Sequence, residues 1–246
     1  MIWLRSLIYA VFLTVTVIPY AFACLLWSPL PRGLRYRLTV GWASLALWGA
    51  RAICGIRWQI QGQENLPDGP AVILSKHQSA WETLFFPSKM PRQVCYVYKK
   101  ELHFVPFFGW GLALLRMIPI DRKQGQDAFS QVLSVGRERL AEGRWPLLFP
   151  EGTRVPPGQR RRYKMGGARL AVEAGVPVIP VALNAGECWP RNSFLKSPGL
   201  VTVSIGPVIE STGLDSAELN ARVEAWIEAE MRRISPQRYP GSSQAA

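Results

Sequence analysis

From Leu7 to Trp27 the chain runs for about 21 residues without a charged side chain, close to the roughly 20 that a helix needs to cross a bilayer core. Such a run is a membrane segment or a signal peptide. Arg5 ahead of it and Ala21-Phe22-Ala23 near its end resemble a signal peptide's charged start and cleavage site. Against cleavage, Trp27 carries the apolar run past that site, and a second apolar stretch, Leu38 to Ala50, follows Pro29-Leu30-Pro31-Arg32-Gly33. Two helices joined by a Pro/Gly turn are therefore expected over residues 1–56, as a membrane-anchoring segment. The second has only about 13 uncharged residues before Arg51, too few to span, so it belongs in the interface or against the first, where Trp42 and Trp48 suit the boundary. Arg32, Arg35 and Arg37 place the following domain on the cytoplasmic side under the positive-inside rule. A full crossing and a dip into one leaflet, with Pro19 allowing a kink, both satisfy the pattern.

Beyond residue 56, short β-like runs alternate with helical stretches. Strands are expected at Arg57 to Gln61, Ala71 to Leu74, Val94 to Tyr98, Met117 to Ile120, Pro146 to Phe149, Val178 to Leu183 and Val201 to Ile205. Helices are expected at Ser79 to Phe86, Phe108 to Leu115, Asp127 to Glu142, Gly166 to Ala174 and Asp215 to Ile234. This alternation predicts an α/β sandwich with a largely buried sheet over 57–239, and a disordered tail over 240–246. The formal charge of +12 points to an anionic partner: nucleic acid, a membrane surface or a phosphorylated substrate. No nucleic-acid-binding module is recognisable, and that reading leaves the apolar run unexplained. Cys24, Cys54, Cys95 and Cys188 are far apart, with only His77 and His103 to join them, so neither a metal site nor a disulfide framework is expected.

Two stretches carry chemistry. Ser75-Lys76-His77-Gln78-Ser79-Ala80-Trp81-Glu82 follows the expected strand at Ala71 to Leu74. On one continuous α-helix His77 and Glu82 would point roughly 140° apart, so the helix has to begin after His77 if the two are to meet. Ser79-x-x-Glu82 is a capping-box pattern that starts it there. Two readings follow: a His–carboxylate dyad in which Glu82 fixes the imidazole that takes a proton, or a cap beside a structural histidine. The second stretch, Phe149-Pro150-Glu151-Gly152-Thr153-Arg154, sets a carboxylate, a glycine, a hydroxyl and a guanidinium at a strand end, a suitable polyol-phosphate site. Further cations, Lys99, Lys100, Arg122, Arg160, Arg161, Arg162 and Lys164, accompany it, and the basic run suits an anionic lipid surface.

His77-x4-Glu82 followed by the Glu151 to Arg154 motif resembles the glycerolipid acyltransferase superfamily, most closely the bacterial 1-acylglycerol-3-phosphate acyltransferases. Weaker matches lie at Lys99 to Leu102 with Pro106 to Gly109, at Ile118 to Arg122 and at Val176 to Val181, so the resemblance spans roughly Ile60 to Pro207. This chain departs from the family at two places: aspartate usually stands where Glu82 is, and asparagine often where Lys76 is. The resemblance implies an inner-membrane enzyme, its catalytic domain facing the cytoplasm, behind an N-terminal two-helix anchor. It would move an acyl chain from acyl-CoA or acyl carrier protein to the sn-2 hydroxyl of lysophosphatidate, without a metal or other cofactor. It gives His77 the role of base and Glu82 that of its partner. Glu151, Gly152, Thr153 and Arg154, with Arg122 and Lys100, would bind the acceptor. A different lyso-lipid acceptor, such as a lyso-ornithine lipid, and a non-catalytic lipid-binding protein are the alternatives.

Overall fold

The structure is a computed structural model that describes residues 1–121 and 126–239. In chain order its main elements are α1 (Ile2–Leu26), α2 (Arg32–Cys54), β1 (Ile56–Gln61), β2 (Val72–Ser75), α3 (Trp81–Lys89), β3 (Val94–Lys99), α4 (Phe108–Leu114), β4 (Ile118–Ile120), α5 (Gln126–Ala141), β5 (Trp145–Leu148), α6 (Gly166–Ala174), β6 (Val178–Leu183), β7 (Gly199–Ile205) and α7 (Ser216–Ile234). Every strand and helix expected beyond residue 56 is present, with ends moved by a few residues. Arg122 and the tail from Pro240 lie outside the described residues.

The elements gather into two units that interleave along the chain. One holds Met1–Cys54 and Thr83–Pro146; the other begins with Gly55–Glu82 and resumes at Leu147. A division at residue 56 is thus not how the contacts cluster. In the first unit the Tyr36 hydroxyl of α2 receives the Val94 N–H at 2.9 Å, and Phe22 of α1 meets the Phe107 and Trp110 rings, which joins the N-terminal helices to later chain.

Within that unit α1 and α2 pack through aromatic residues set against small ones. A Cβ added at Gly49 would lie 2.4 Å from Phe12, and Tyr9 donates its hydroxyl to Ala46 O at 2.9 Å. Helix α2 is longer than its apolar stretch, because Arg32 and Arg37 are good helix formers that extend its exposed N-terminal turns and Gly33 is helical rather than part of the turn. Helix α1 is long and apolar enough to cross a membrane, and Leu4, Val11, Val15, Phe22 and Leu26 are exposed along it. Strands β3 and β4 pair in parallel, Val97 opposite Ile118.

The second unit is built on a mixed sheet. Strand β1 pairs in parallel with β7, β7 antiparallel with β6, β6 in parallel with β2, and β2 in parallel with β5. All residues of β2, β5 and β6 are buried, as continuous apolar runs of this kind require. Helix α7 is capped by Asp215, which accepts the Ala217 and Glu218 N–H groups, and buries Leu219, Val223, Ile227 and Met231 at four-residue spacing. Helix α6 comes close to β2 because Gly167 has no side chain: a Cβ there would lie 2.2 Å from Leu74.

Candidate active site

Both motifs leave the same edge of the second unit's sheet. Strands β2 and β5 are parallel neighbours with Leu74 opposite Leu148, so their C-terminal ends deliver Lys76-His77 and Phe149-Pro150-Glu151 side by side. Lys76 N–H continues the ladder to Val181 O at 2.9 Å, after which the chain turns away from the sheet. His77 is held by its backbone on both sides: its N–H donates to Glu151 Oε2 at 2.9 Å and its carbonyl accepts Val155 N–H at 2.7 Å. The imidazole stacks on Phe149, ring centres 3.8 Å apart and planes 14° from parallel.

The structure joins the two readings of Glu82 in one side chain. Oε1 accepts the backbone N–H groups of Gln78 at 2.8 Å and Ser79 at 2.7 Å, while Ser79 Oγ accepts Trp81 N–H at 3.1 Å, which completes the reciprocal capping box. The other oxygen, Oε2, lies 2.5 Å from His77 Nδ1. The Glu82 side chain is fully buried and that of His77 is 15% exposed. A carboxylate can only accept, so Nδ1 carries the proton and Nε2 keeps a free lone pair. That is the tautomer a general base needs. Ser79 is fully buried and committed to the cap.

Glu151, expected at the acceptor site, is fully enclosed. Its Oε2 holds the His77 N–H and its Oε1 lies 2.8 Å from Lys76 Nζ, so it supports the histidine loop rather than offering a surface to a ligand. Burial raises its pKa, opposed by the Lys76 ammonium and the His77 N–H. Gly152 follows at φ +69°, a conformation that favours glycine, and the Lys164 side chain lies across it. Thr153 and Arg154 are half-buried on the same turn, and the Arg154 carbonyl accepts from Arg191 at 2.9 Å. Lys100 belongs to the other unit, exposed at the start of a 3-10 turn over Lys100–Phe104. Arg122 lies outside the described residues.

Sequence reasoning did not find the groups beneath the motifs. Lys76 Nζ also pairs with Glu228 Oε1 at 2.7 Å, and the Tyr163 hydroxyl donates to that same oxygen at 3.0 Å. Lys76 carries two signals, a lysine at the end of an apolar strand and a departure from the family's frequent asparagine; Glu228 and Tyr163 carry none. Among the described residues no three His, Cys, Asp or Glu side chains are placed to hold a metal ion.

Known proteins resemble this chain in sequence and in fold. The acyltransferase family model matches residues 57–184. A 1-acyl-sn-glycerol-3-phosphate acyltransferase of Pseudomonas aeruginosa is 49% identical over 211 residues, 84% of this chain and 82% of that protein. The alpha form from Mus musculus is 30% identical over 184 residues, 74% of this chain and 65% of its own length. The crystal structure of the 1-acyl-sn-glycerophosphate (LPA) acyltransferase of Thermotoga maritima shares the fold, with a TM-score of 0.80 over 94% of this chain and 95% of that one at 22% identity.

Proposed function

This chain belongs to the acyltransferase family, and from that membership we propose that it acylates the sn-2 hydroxyl of 1-acylglycerol-3-phosphate, giving phosphatidic acid for phospholipid biosynthesis. The observation that carries the chemistry is the 2.5 Å contact between His77 Nδ1 and Glu82 Oε2, which leaves Nε2 as the base. Nε2 takes the proton of the acceptor hydroxyl as its oxygen attacks the thioester carbonyl. Glu82 stabilises the imidazolium that forms. Collapse of the tetrahedral intermediate makes the ester bond and breaks the carbon–sulfur bond. The leaving thiolate, of pKa near 8.5 as a free thiol, receives the proton back from His77. One base therefore suffices, and the stacked Phe149 ring and both backbone hydrogen bonds keep it in place.

Acyl-CoA and acyl carrier protein are the donor classes, both thioesters. Gly152, Thr153 and Arg154, with Lys100 and Arg122, bind the acceptor's glycerol phosphate, Arg154 as a two-pronged donor to phosphate oxygens. Glu151 acts through His77. Helix α1, with its exposed apolar side chains, attaches the enzyme to the inner membrane, the catalytic residues facing the cytoplasm, and the positive net charge favours an anionic lipid surface.

The test is thiol release from a long-chain acyl-CoA by purified membranes, with and without lysophosphatidate, for the wild type and His77→Ala. Release that needs both lysophosphatidate and His77 is expected. Acceptor-dependent release that survives in His77→Ala would remove the base assignment; none from wild type with either donor would remove the proposed reaction.

A further inference from the structure

The residue before His77 has no place in the chemistry above, yet it is the centre of a buried charge cluster. Lys76 has a fully enclosed side chain whose Nζ lies 2.8 Å from Glu151 Oε1 and 2.7 Å from Glu228 Oε1. Glu151 in turn accepts the His77 N–H at 2.9 Å, so a chain of contacts runs from α7 through Glu228, Lys76 and Glu151 to the backbone of His77. Its far end, Glu228, lies beyond the residues 57–184 that the family model matches. Buried ion pairs of this kind add little net stability over apolar side chains of the same volume, because desolvation offsets the attraction. Their geometric restraint is what remains.

We infer that Lys76 and Glu228 are positioning residues: through Glu151 they hold the His77 backbone, so that helix α7 sets the orientation of the base. This rests on the reading of His77 as the base. The cluster has two carboxylates for one ammonium. Burial acts to lower the Lys76 pKa, but Glu151 and Glu228 together raise it, which keeps the lysine charged. The charged lysine in turn lets Glu151 accept the His77 N–H as a carboxylate, the stronger form of that bond. The other groups acting on the cluster are Tyr163, Tyr239, Arg232 and the exposed Arg160–Glu224 pair.

Without Lys76, the two carboxylates face each other in a buried site and share a proton until the pH is raised. Acyl transfer by Lys76→Met is therefore expected to lose roughly ten- to a hundredfold in kcat near neutral pH, with little change in either KM, as a displaced base would give. The deficit should shrink as pH rises and Glu151 ionises. Adding Glu228→Gln to Lys76→Met removes the competing carboxylate and should restore part of the lost kcat. A merely structural cluster predicts a pH-independent loss and a double variant no better than the single one, and either result overturns the proposal. If Lys76→Met does not fold, Glu228→Gln alone keeps the volume, and its kcat should persist to lower pH than that of the wild type. Identical kcat–pH profiles would overturn the proposal. Absent turnover in the wild type would instead remove the premise, so the two failures are distinguishable.

Discussion

Replacing Glu82 by glutamine exchanges one carboxylate oxygen for an NH2 and removes the charge, yet the structure predicts that it disables the base and leaves the fold standing. Oε1 receives two backbone N–H groups, and Oε2 receives His77 Nδ1–H. Glutamine can place its oxygen at one of these positions only. With the oxygen facing His77, its amide NH2 would meet the Gln78 and Ser79 donors and leave both buried and unsatisfied, at about 1–3 kcal/mol each. With the oxygen on the cap, the NH2 faces Nδ1, and only the imidazole must change tautomer. The second arrangement wins by a few kcal/mol. Nε2 then carries the proton and cannot accept one. In a comparable His–carboxylate pair this change costs about 10⁴-fold in kcat, or roughly 5.5 kcal/mol of barrier. The cap keeps its two hydrogen bonds but loses their charge assistance, which costs about 1 kcal/mol of stability. The assay is steady-state transfer to lysophosphatidate by Glu82→Gln, together with its unfolding free energy. A kcat within tenfold of wild type in a folded protein would refute the dyad and leave Glu82 as a cap alone.

Other outcomes follow from single positions. Gly152→Ala puts a Cβ on a residue at φ +69° and 3.0 Å from Lys164 Cε, so stability should fall by roughly 1–2 kcal/mol and the KM for lysophosphatidate should rise as the turn carrying Thr153 and Arg154 shifts; an unchanged KM would remove that turn from acceptor binding. Burial in β3 pushes the Cys95 thiol up to about 12 from its ordinary 9.0. The unfolded chain therefore releases this proton first, and stability from this group is intact below about pH 9 and lost by about pH 12 at about 1.4 kcal/mol per pH unit. Denaturant unfolding at pH 9, 10 and 11 should show that slope in the wild type and a shallower one in Cys95→Ala; equal slopes would refute it.

What could be read in the sequence and what could not follow from the range of the interactions. Strands β2, β5 and β6 are short β-branched or apolar runs between turn residues, a local signal, and the Ser79–Glu82 cap is a pattern of four residues. The His77–Glu82 contact follows from that cap, because starting α3 after His77 lets the imidazole fold back. Glu151 stands in the motif that the resemblance assigns to the acceptor, and its burial depends on Lys76, which is remote in sequence. Glu228 stands at four-residue spacing from Asn220 and Glu224, in a row apart from that of Leu219, Val223 and Ile227, and nothing in the periodicity separates a buried glutamate from a rim residue. The apolar stretch Leu38 to Ala50 marks only part of α2, because the first turns of the helix are arginine-rich and exposed.

The parallel pairing of β2 with β5 has an evolutionary consequence. The two motifs meet through neighbouring strands, so the 55 residues of chain between α3 and β5, residues 90–144, do not help to aim His77 at Glu82 or Glu151. That stretch carries Lys100 and Arg122, the cations proposed to bind the acceptor, so it bears on what is bound and not on how the base is aimed. Substitutions there can therefore shift acceptor preference in one lineage while the proton-transfer residues stay as they are.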